Sequence, residues 1–235
     1  MRWEFSQHTR CYDASFPIQG EGQLSPFSKN YLRRITMIEI KEKTDMLLVV
    51  DVQLDFTGFV DENNIAAGSL AVVGAPDIIP VINKYIKRIP RQAFSRDMHP
   101  VNHSSFAEQG GPWPPHCVVG TKGAELHPDL NVDINRVINV EKGKEVDKDA
   151  YSAFDGTGFD MVLPGMGVKR LFICGLATDY CVKATVLDAL KLKGIEVYLL
   201  SDAIKAVNVN PGDGDASFME MCDAGAVPMV FAELV

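Results

Sequence analysis

The sequence predicts an α/β fold, a doubly wound and mainly parallel sheet, on three observations. Short apolar runs of strand length alternate with segments of helical period. Several runs are apolar throughout, as in strands buried on both faces. The polar residues best suited to chemistry stand at the ends of such runs, where open parallel sheets bind ligands.

The elements follow in order. Residues 46–51 (Met46-Leu47-Leu48-Val49-Val50-Asp51) read as a central parallel strand ending in a charge. Residues 52–68 are expected to form a polar loop with Gly58 and Gly68. A helix is expected around 74–88, from Ile78, Ile79, Ile82, Tyr85 and Ile86, with Pro76 in its first turn. Residues 91–96 are a less apolar strand candidate, and 97–131 a long irregular stretch rich in His, Pro and Gly. A loop of that length inside a compact domain is usually functional or disordered. Residues 136–141 form a strand ending at Lys142-Gly143, and 159–163 a short helix. Residues 168–174 form a buried strand. After Cys181, Val182, Thr185, Val186, Ala189 and Leu190 share one helix face, with Gly194 as stop signal. Another buried strand spans 195–202, a helix holds Phe218 to Cys222 and Ala224, and 227–231 is the last strand. Residues 1–45 have no clear period and read as an N-terminal extension, with Met37 an alternative start, before one domain over 46–235.

Composition narrows the function. The chain has 235 residues, enough for one sizeable core, and 46% are hydrophobic. With 23 Lys and Arg against 31 Asp and Glu the net charge is −8, which argues against nucleic acid as a partner. The 5 cysteines lack framework spacing, which favours a reduced, cytoplasmic setting. No stretch has the length of a membrane span and no signal-peptide core is present, so a membrane partner is not expected.

Two constellations could carry chemistry. Asp51, Lys142 and Cys181 each end a predicted strand, and parallel strands share one carboxyl edge, so the three could converge there. Cys181 lies just past a strand at a helix N-terminus, where unpaired N–H groups and the dipole stabilise a thiolate. A carboxylate, a cation and a thiol suffice for covalent acyl transfer. The alternatives are charged strand ends that merely meet solvent, and a buried structural cysteine such as Cys174. The second constellation is Asp97-Met98-His99 with His103 and His116. In an extended segment Asp97 and His99 point the same way, and Trp113-Pro114-Pro115 is a rigid approach to His116. A mixed Asp/His set suits zinc, iron or manganese, not calcium. His127, followed by Pro128, reads as an ordinary loop residue. With the histidines committed to a metal, the base for Cys181 has to be a carboxylate.

Five blocks occur in order: Asp51-Val52-Gln53-Leu54-Asp55-Phe56, Asp97-Met98-His99, Trp113-Pro114-Pro115-His116-Cys117, Glu141-Lys142-Gly143 and Gly175-Leu176-Ala177-Thr178-Asp179-Tyr180-Cys181-Val182. Together they resemble the isochorismatase-like cysteine hydrolases, most closely the nicotinamidases (pyrazinamidases), from about residue 46 to the C-terminus. The resemblance implies a three-layer αβα fold and a triad matching Asp51, Lys142 and Cys181. It implies an oxyanion hole from the N–H groups of Ala177 and Cys181, with a cis peptide at Leu176–Ala177. It also implies a divalent metal on Asp97, His99 and His116, zinc foremost, with His103 as a looser match. Phe56 and Trp113 match positions flanking a pyridine ring. The implied reaction is hydrolysis of nicotinamide to nicotinate and ammonia in NAD salvage, with pyrazinamide also a substrate and homo-oligomerisation left open. In that reading Asp55 fixes its loop, while Tyr151, Ser152 and Phe154 are pocket-wall or structural residues. The alternatives are an amidase for another small amide, such as an N-carbamoyl compound, and a non-catalytic flavodoxin-like binding module.

Overall fold

The computed structural model describes residues 37–60 and 66–235. The elements in chain order are β1 Asp45–Val50, α1 Leu54–Thr57, β2 Phe59–Val60, β3 Ala66–Ala67, α2 Ile79–Arg88, β4 Gln92–Asp97 and β5 Ile138–Lys142. There follow α3 Phe159–Gly165, β6 Arg170–Leu176, α4 Lys183–Ala189, β7 Glu196–Lys205, α5 Asp213–Asp223 and β8 Val227–Met229. Six strands form one parallel sheet in the order β5-β4-β1-β6-β7-β8, with β2 and β3 as a separate antiparallel ribbon. The chain winds outward from β1 to β5 on one side and from β6 to β8 on the other. The switch of direction therefore falls between β1 and β6, where such sheets open a crevice at their carboxyl ends.

β1 shows why the sheet has two covered faces. Its side chains are all buried, Leu47 and Val49 in one apolar cluster with α2, and Met46, Leu48 and Val50 in another with α3 and α4. A run without alternation is what a strand between two layers requires. Close approach of β1 and β6 needs Gly175: its φ is +114°, and a Cβ there would stand 2.1 Å from the Val50 carbonyl oxygen.

Several elements depart from expectation for local reasons. The helix expected over 74–88 is a 3-10 turn, Ala75–Ile78, followed by α2. Pro80 has no N–H to continue an α ladder back to Pro76, so the ladder restarts. The expected polar loop 52–68 contains α1 and the β2–β3 ribbon. Cys181 lies within a π-type turn, Thr178–Val182, that leads into α4. α4 ends at Ala189 and not at Gly194, because Lys191 and Leu192 bond three residues back, to Asp188 and Ala189, and close as tight turns. The last strand stops at Met229: the N–H of Phe231 turns to Asp202 Oδ2 at 2.9 Å, and that of Val230 to Glu233 Oε2 at 2.9 Å. α5 begins at Asp213, ahead of the expected Phe218.

Residues 1–36 of the expected extension lie outside the described residues. Within 37–44, Ile38 pairs with the C-terminal turn, its N–H bonding Glu233 O at 2.8 Å and its carbonyl taking the Val235 N–H at 3.1 Å. Among the described residues no helix is long and apolar enough to cross a membrane.

Candidate active site

Four strand ends deliver the side chains. Asp51 follows β1 with φ +48°, a left-handed conformation that aspartate tolerates better than most residues. Asp97 and Lys142 close β4 and β5 as register partners. Cys181 follows β6 through the cis peptide Leu176–Ala177 and the π-type turn. Asp51, Lys142 and Cys181 are buried, with 0%, 1% and 5% exposure, too little for side chains that merely meet solvent.

Lys142 joins the whole group. Its Nζ stands 2.9 Å from Asp51 Oδ2, 2.5 Å from Asp97 Oδ1 and 3.4 Å from Cys181 Sγ, and it donates to the Ala150 carbonyl at 3.1 Å. Burial alone would favour a neutral amine, but Asp51 and Asp97 outweigh it and hold the lysine charged, its pKa well above the usual range. Asp51 takes a 2.6 Å hydrogen bond from Ser95 Oγ on Oδ1. Its Oδ2 has the Lys142 ion pair but no hydrogen-bond donor in alignment, so a lone pair remains open. Burial raises the pKa of Asp51 despite Lys142.

The thiol differs from the sequence expectation. Burial first, then Asp51 and Asp97, push the Cys181 pKa well above that of a free thiol, and Lys142 only partly opposes them. These side chains thus disfavour the thiolate that the helix terminus alone would favour. A carboxylate oxygen of Asp51 lies within 4.8 Å of Sγ and can receive its proton.

Beside this group, ligand atoms of Asp97, His99 and His116 lie within 4.8 Å of one another, all three residues buried. The ring tautomers suit a cation. His99 Nδ1 is 2.9 Å from the Gly143 carbonyl and His116 Nδ1 2.8 Å from that of Pro114. A carbonyl only accepts, so each Nδ1 carries the hydrogen and each Nε2 keeps its lone pair. Burial, with His116 and His103 nearby, lowers the His99 pKa to about 3, so this ring is neutral at pH 7. Gly143 is required here: its φ is +66° and a Cβ would stand 2.6 Å from His99 Cε1.

His103 stands outside this set. Its Nδ1 pairs with Ser105 Oγ at 2.6 Å and its Nε2 with the Lys148 carbonyl at 3.2 Å, leaving neither nitrogen free. Its ring packs 4.1 Å from that of His99. His127 lies elsewhere, against Phe59. Asp55 ties loops together, taking the N–H of Cys117 at 2.8 Å on one oxygen and that of Gly68 at 3.0 Å on the other. Phe56 packs 5.5 Å from the His116 ring, and Trp113 meets Tyr180 edge-on at 5.1 Å and donates to Tyr151 Oη at 3.2 Å. A small cleft opens among Asp97, His99, Trp113, His116 and Tyr151.

Three contributors escape the sequence reading. Gln53 clamps Asp97, its Oε1 taking the backbone N–H at 2.7 Å and its Nε2 donating to the carbonyl at 2.8 Å. Asp179 accepts the N–H groups of Val207 and Asn208 at 2.9 and 2.8 Å, anchoring the turn before Cys181. Ser95 holds Asp51. The signal for Ser95 was present as a lone hydroxyl inside a strand, whereas Gln53 and Asp179 look like any loop polar residue.

The isochorismatase domain model matches residues 45–233. The nicotinamidase of Escherichia coli (strain K12) is 38% identical over 212 residues, 80% of this chain and 95% of that protein. The crystal structure of the pyrazinamidase of Pyrococcus horikoshii in complex with zinc is 44% identical, with a TM-score of 0.70 over 80% of this chain and 99% of that one. That of PnC1 from L. infantum in complex with nicotinate is 37% identical, with a TM-score of 0.75 over 85% of this chain and 98% of that one.

Proposed function

The chain belongs to the isochorismatase family, and from that premise we propose that it hydrolyses nicotinamide to nicotinate and ammonia, with a cysteine nucleophile and a divalent metal. The observation that carries this reading is Lys142, whose ammonium touches both the thiol of Cys181 and the carboxylate of Asp97. A nucleophile and a cation-binding set are thereby held side by side. A non-catalytic binding module would have no use for two buried carboxylates, a lysine and a thiol at the sheet switch point. Such a cluster is costly to bury and gathers where function needs it.

Asp97, His99 and His116 would hold the metal, and their two nitrogens and one carboxylate suit zinc first, with iron or manganese as alternatives. When bound, the metal supplies an electrophilic anchor for the pyridine nitrogen. His103 supports the His99 ring by packing against it at a tilt and is not a ligand in this reading. Phe56 and Trp113 flank the ring of the substrate, and the carboxamide is presented to Cys181.

The chain's own residues then carry the reaction. Asp51 Oδ2 takes the thiol proton as Sγ forms its bond to the carbonyl carbon. The N–H groups of Ala177 and Cys181 receive the resulting oxyanion, where loss of one donor typically costs ~2.7–4 kcal/mol. Asp51 returns its proton to the amine, the C–N bond breaks and ammonia departs. Asp51 next removes a proton from water, which attacks the thioester, and the proton returns to Sγ as nicotinate leaves. Lys142 stays protonated throughout, orienting Asp51 and Cys181. Burial and Asp51 raise the pKa of the Cys181 thiol, so a base within reach of Sγ is needed as the new bond forms.

The test is ammonia release from nicotinamide by the metal-loaded protein, beside Cys181→Ala. Release by the wild type alone, with the variant folded and its metal content unchanged, supports the assignment. No release by the wild type, or equal release by the variant, overturns it.

A further inference from the structure

We infer that Ser95 is a positioning residue for the proton transfer: its hydroxyl fixes one oxygen of Asp51 so that the other faces Cys181. The inference rests on the proposed role of Asp51 as base. Ser95 lies in β4 between Phe94 and Arg96, fully buried between β5 and β1. An apolar residue would serve packing there, since a buried hydroxyl stabilises nothing unless it is bonded. Its hydrogen bond is to Asp51 Oδ1 at 2.6 Å, while its carbonyl accepts the Asp51 N–H at 3.2 Å. One residue thus grips the base by side chain and main chain together, just where the backbone of Asp51 turns left-handed.

The grip makes the two carboxylate oxygens unequal. Oδ1 is occupied by Ser95. Oδ2 has the ion pair with Lys142 Nζ at 2.9 Å and no aligned hydrogen-bond donor. Without the hydroxyl the carboxylate can rotate about its Cβ–Cγ bond, and either oxygen can settle in line with the ammonium of Lys142. The oxygen that receives the Sγ proton is then turned toward lysine and away from the thiol. The base is still present but is no longer held in the orientation that accepts the proton.

Ser95→Ala and Ser95→Thr test this, the second keeping a hydroxyl on a β-branched side chain suited to a strand. A positioned base contributes roughly 10²–10⁴-fold, so loss of its alignment alone should lower kcat by about tenfold to a hundredfold. Five quantities are read: kcat and KM for nicotinamide, metal content, melting temperature, and the rate at which iodoacetamide labels Cys181 without substrate. The inference expects Ser95→Ala to slow both turnover and labelling, with KM and metal content unchanged, and Ser95→Thr to restore them. Wild-type turnover and labelling in Ser95→Ala would overturn it. So would a fall in melting temperature and metal content that accounts for the lost rate and that threonine fails to restore. If the wild type released no ammonia at all, the nicotinamidase reading would fail and the labelling rates alone would decide the role of Ser95.

Discussion

At the scale of single residues, two buried aspartates four positions apart have opposite tasks. Asp51 reaches the thiol and the lysine, while Asp55 bonds only backbone N–H groups. Asp51→Asn should therefore lower kcat by orders of magnitude at near-native stability, since an amide cannot accept the proton. Asp55→Asn should lower the melting temperature or weaken substrate binding, with kcat per folded molecule largely retained. Steady-state kinetics and thermal melts on both variants check this, and a larger kcat loss in Asp55→Asn would contradict the assignment. His99 gives a pH prediction. Its folded pKa of about 3 lies below the ordinary imidazole value of 6.5, so the unfolded chain binds the extra proton. Its contribution is complete above pH ~6.5 and is lost as pH falls towards ~3, at no more than ~1.4 kcal/mol per unit. Metal-free protein should melt at progressively lower temperature over that window, and His99→Gln should flatten the slope. An unchanged slope would show that His99 is not buried neutral. The convergence of Asp51, Lys142 and Cys181, and of Asp97, His99 and His116, was legible in the sequence because each stands at a strand end or in the histidine-rich loop. The raised pKa of the thiol was not, because burial and two nearby carboxylates are properties of the assembled edge.

At the scale of elements, the strands were legible wherever burial on both faces left an unbroken apolar run, as in β1, β6 and β7. The β2–β3 ribbon was not, because two residues a strand carry no period. The division of the helix at Pro80 was visible in principle, as a missing donor within a periodic segment. The start of α5 was hidden because Asp213-Gly214-Asp215 has no apolar face. Nor could sequence place Lys142 beside Asp97, since the register between β4 and β5 depends on everything in the long loop between them. That close packing of strands makes a prediction. Gly175→Ala puts a methyl group into the Val50 carbonyl at a positive φ and should prevent folding or lower stability by ~3 kcal/mol or more. Gly165→Ala meets nothing within 4 Å and has an ordinary φ, so it should be neutral or stabilise by ~0.4–1 kcal/mol. Chemical denaturation of both variants tests the contrast.

At the scale of the molecule, the two halves of the sheet diverge from β1 and β6, and the crevice between them places Asp51 against Cys181. The metal set lies on the β4–β5 side, so Lys142 on β5 must span from one constellation to the other. Because Asp97, His99 and His116 belong to the folded chain, a metal bound there stabilises it, by ~2.7 kcal/mol when free metal is at 100 times its Kd. Chelation should thus lower the melting temperature as well as the rate, and calorimetry with and without chelator reads the difference. We propose that a metal held there would orient the ring and would not generate hydroxide. Orientation of a reacting group is worth up to ~7–11 kcal/mol in favourable cases, ample to separate substrates by one atom. The most direct measurement compares hydrolysis of nicotinamide and benzamide by the same preparation before and after chelation. We expect rapid, chelator-sensitive hydrolysis of nicotinamide and a very slow benzamide rate that chelation barely alters. Comparable rates on the two amides, or nicotinamide turnover indifferent to chelator, would contradict it.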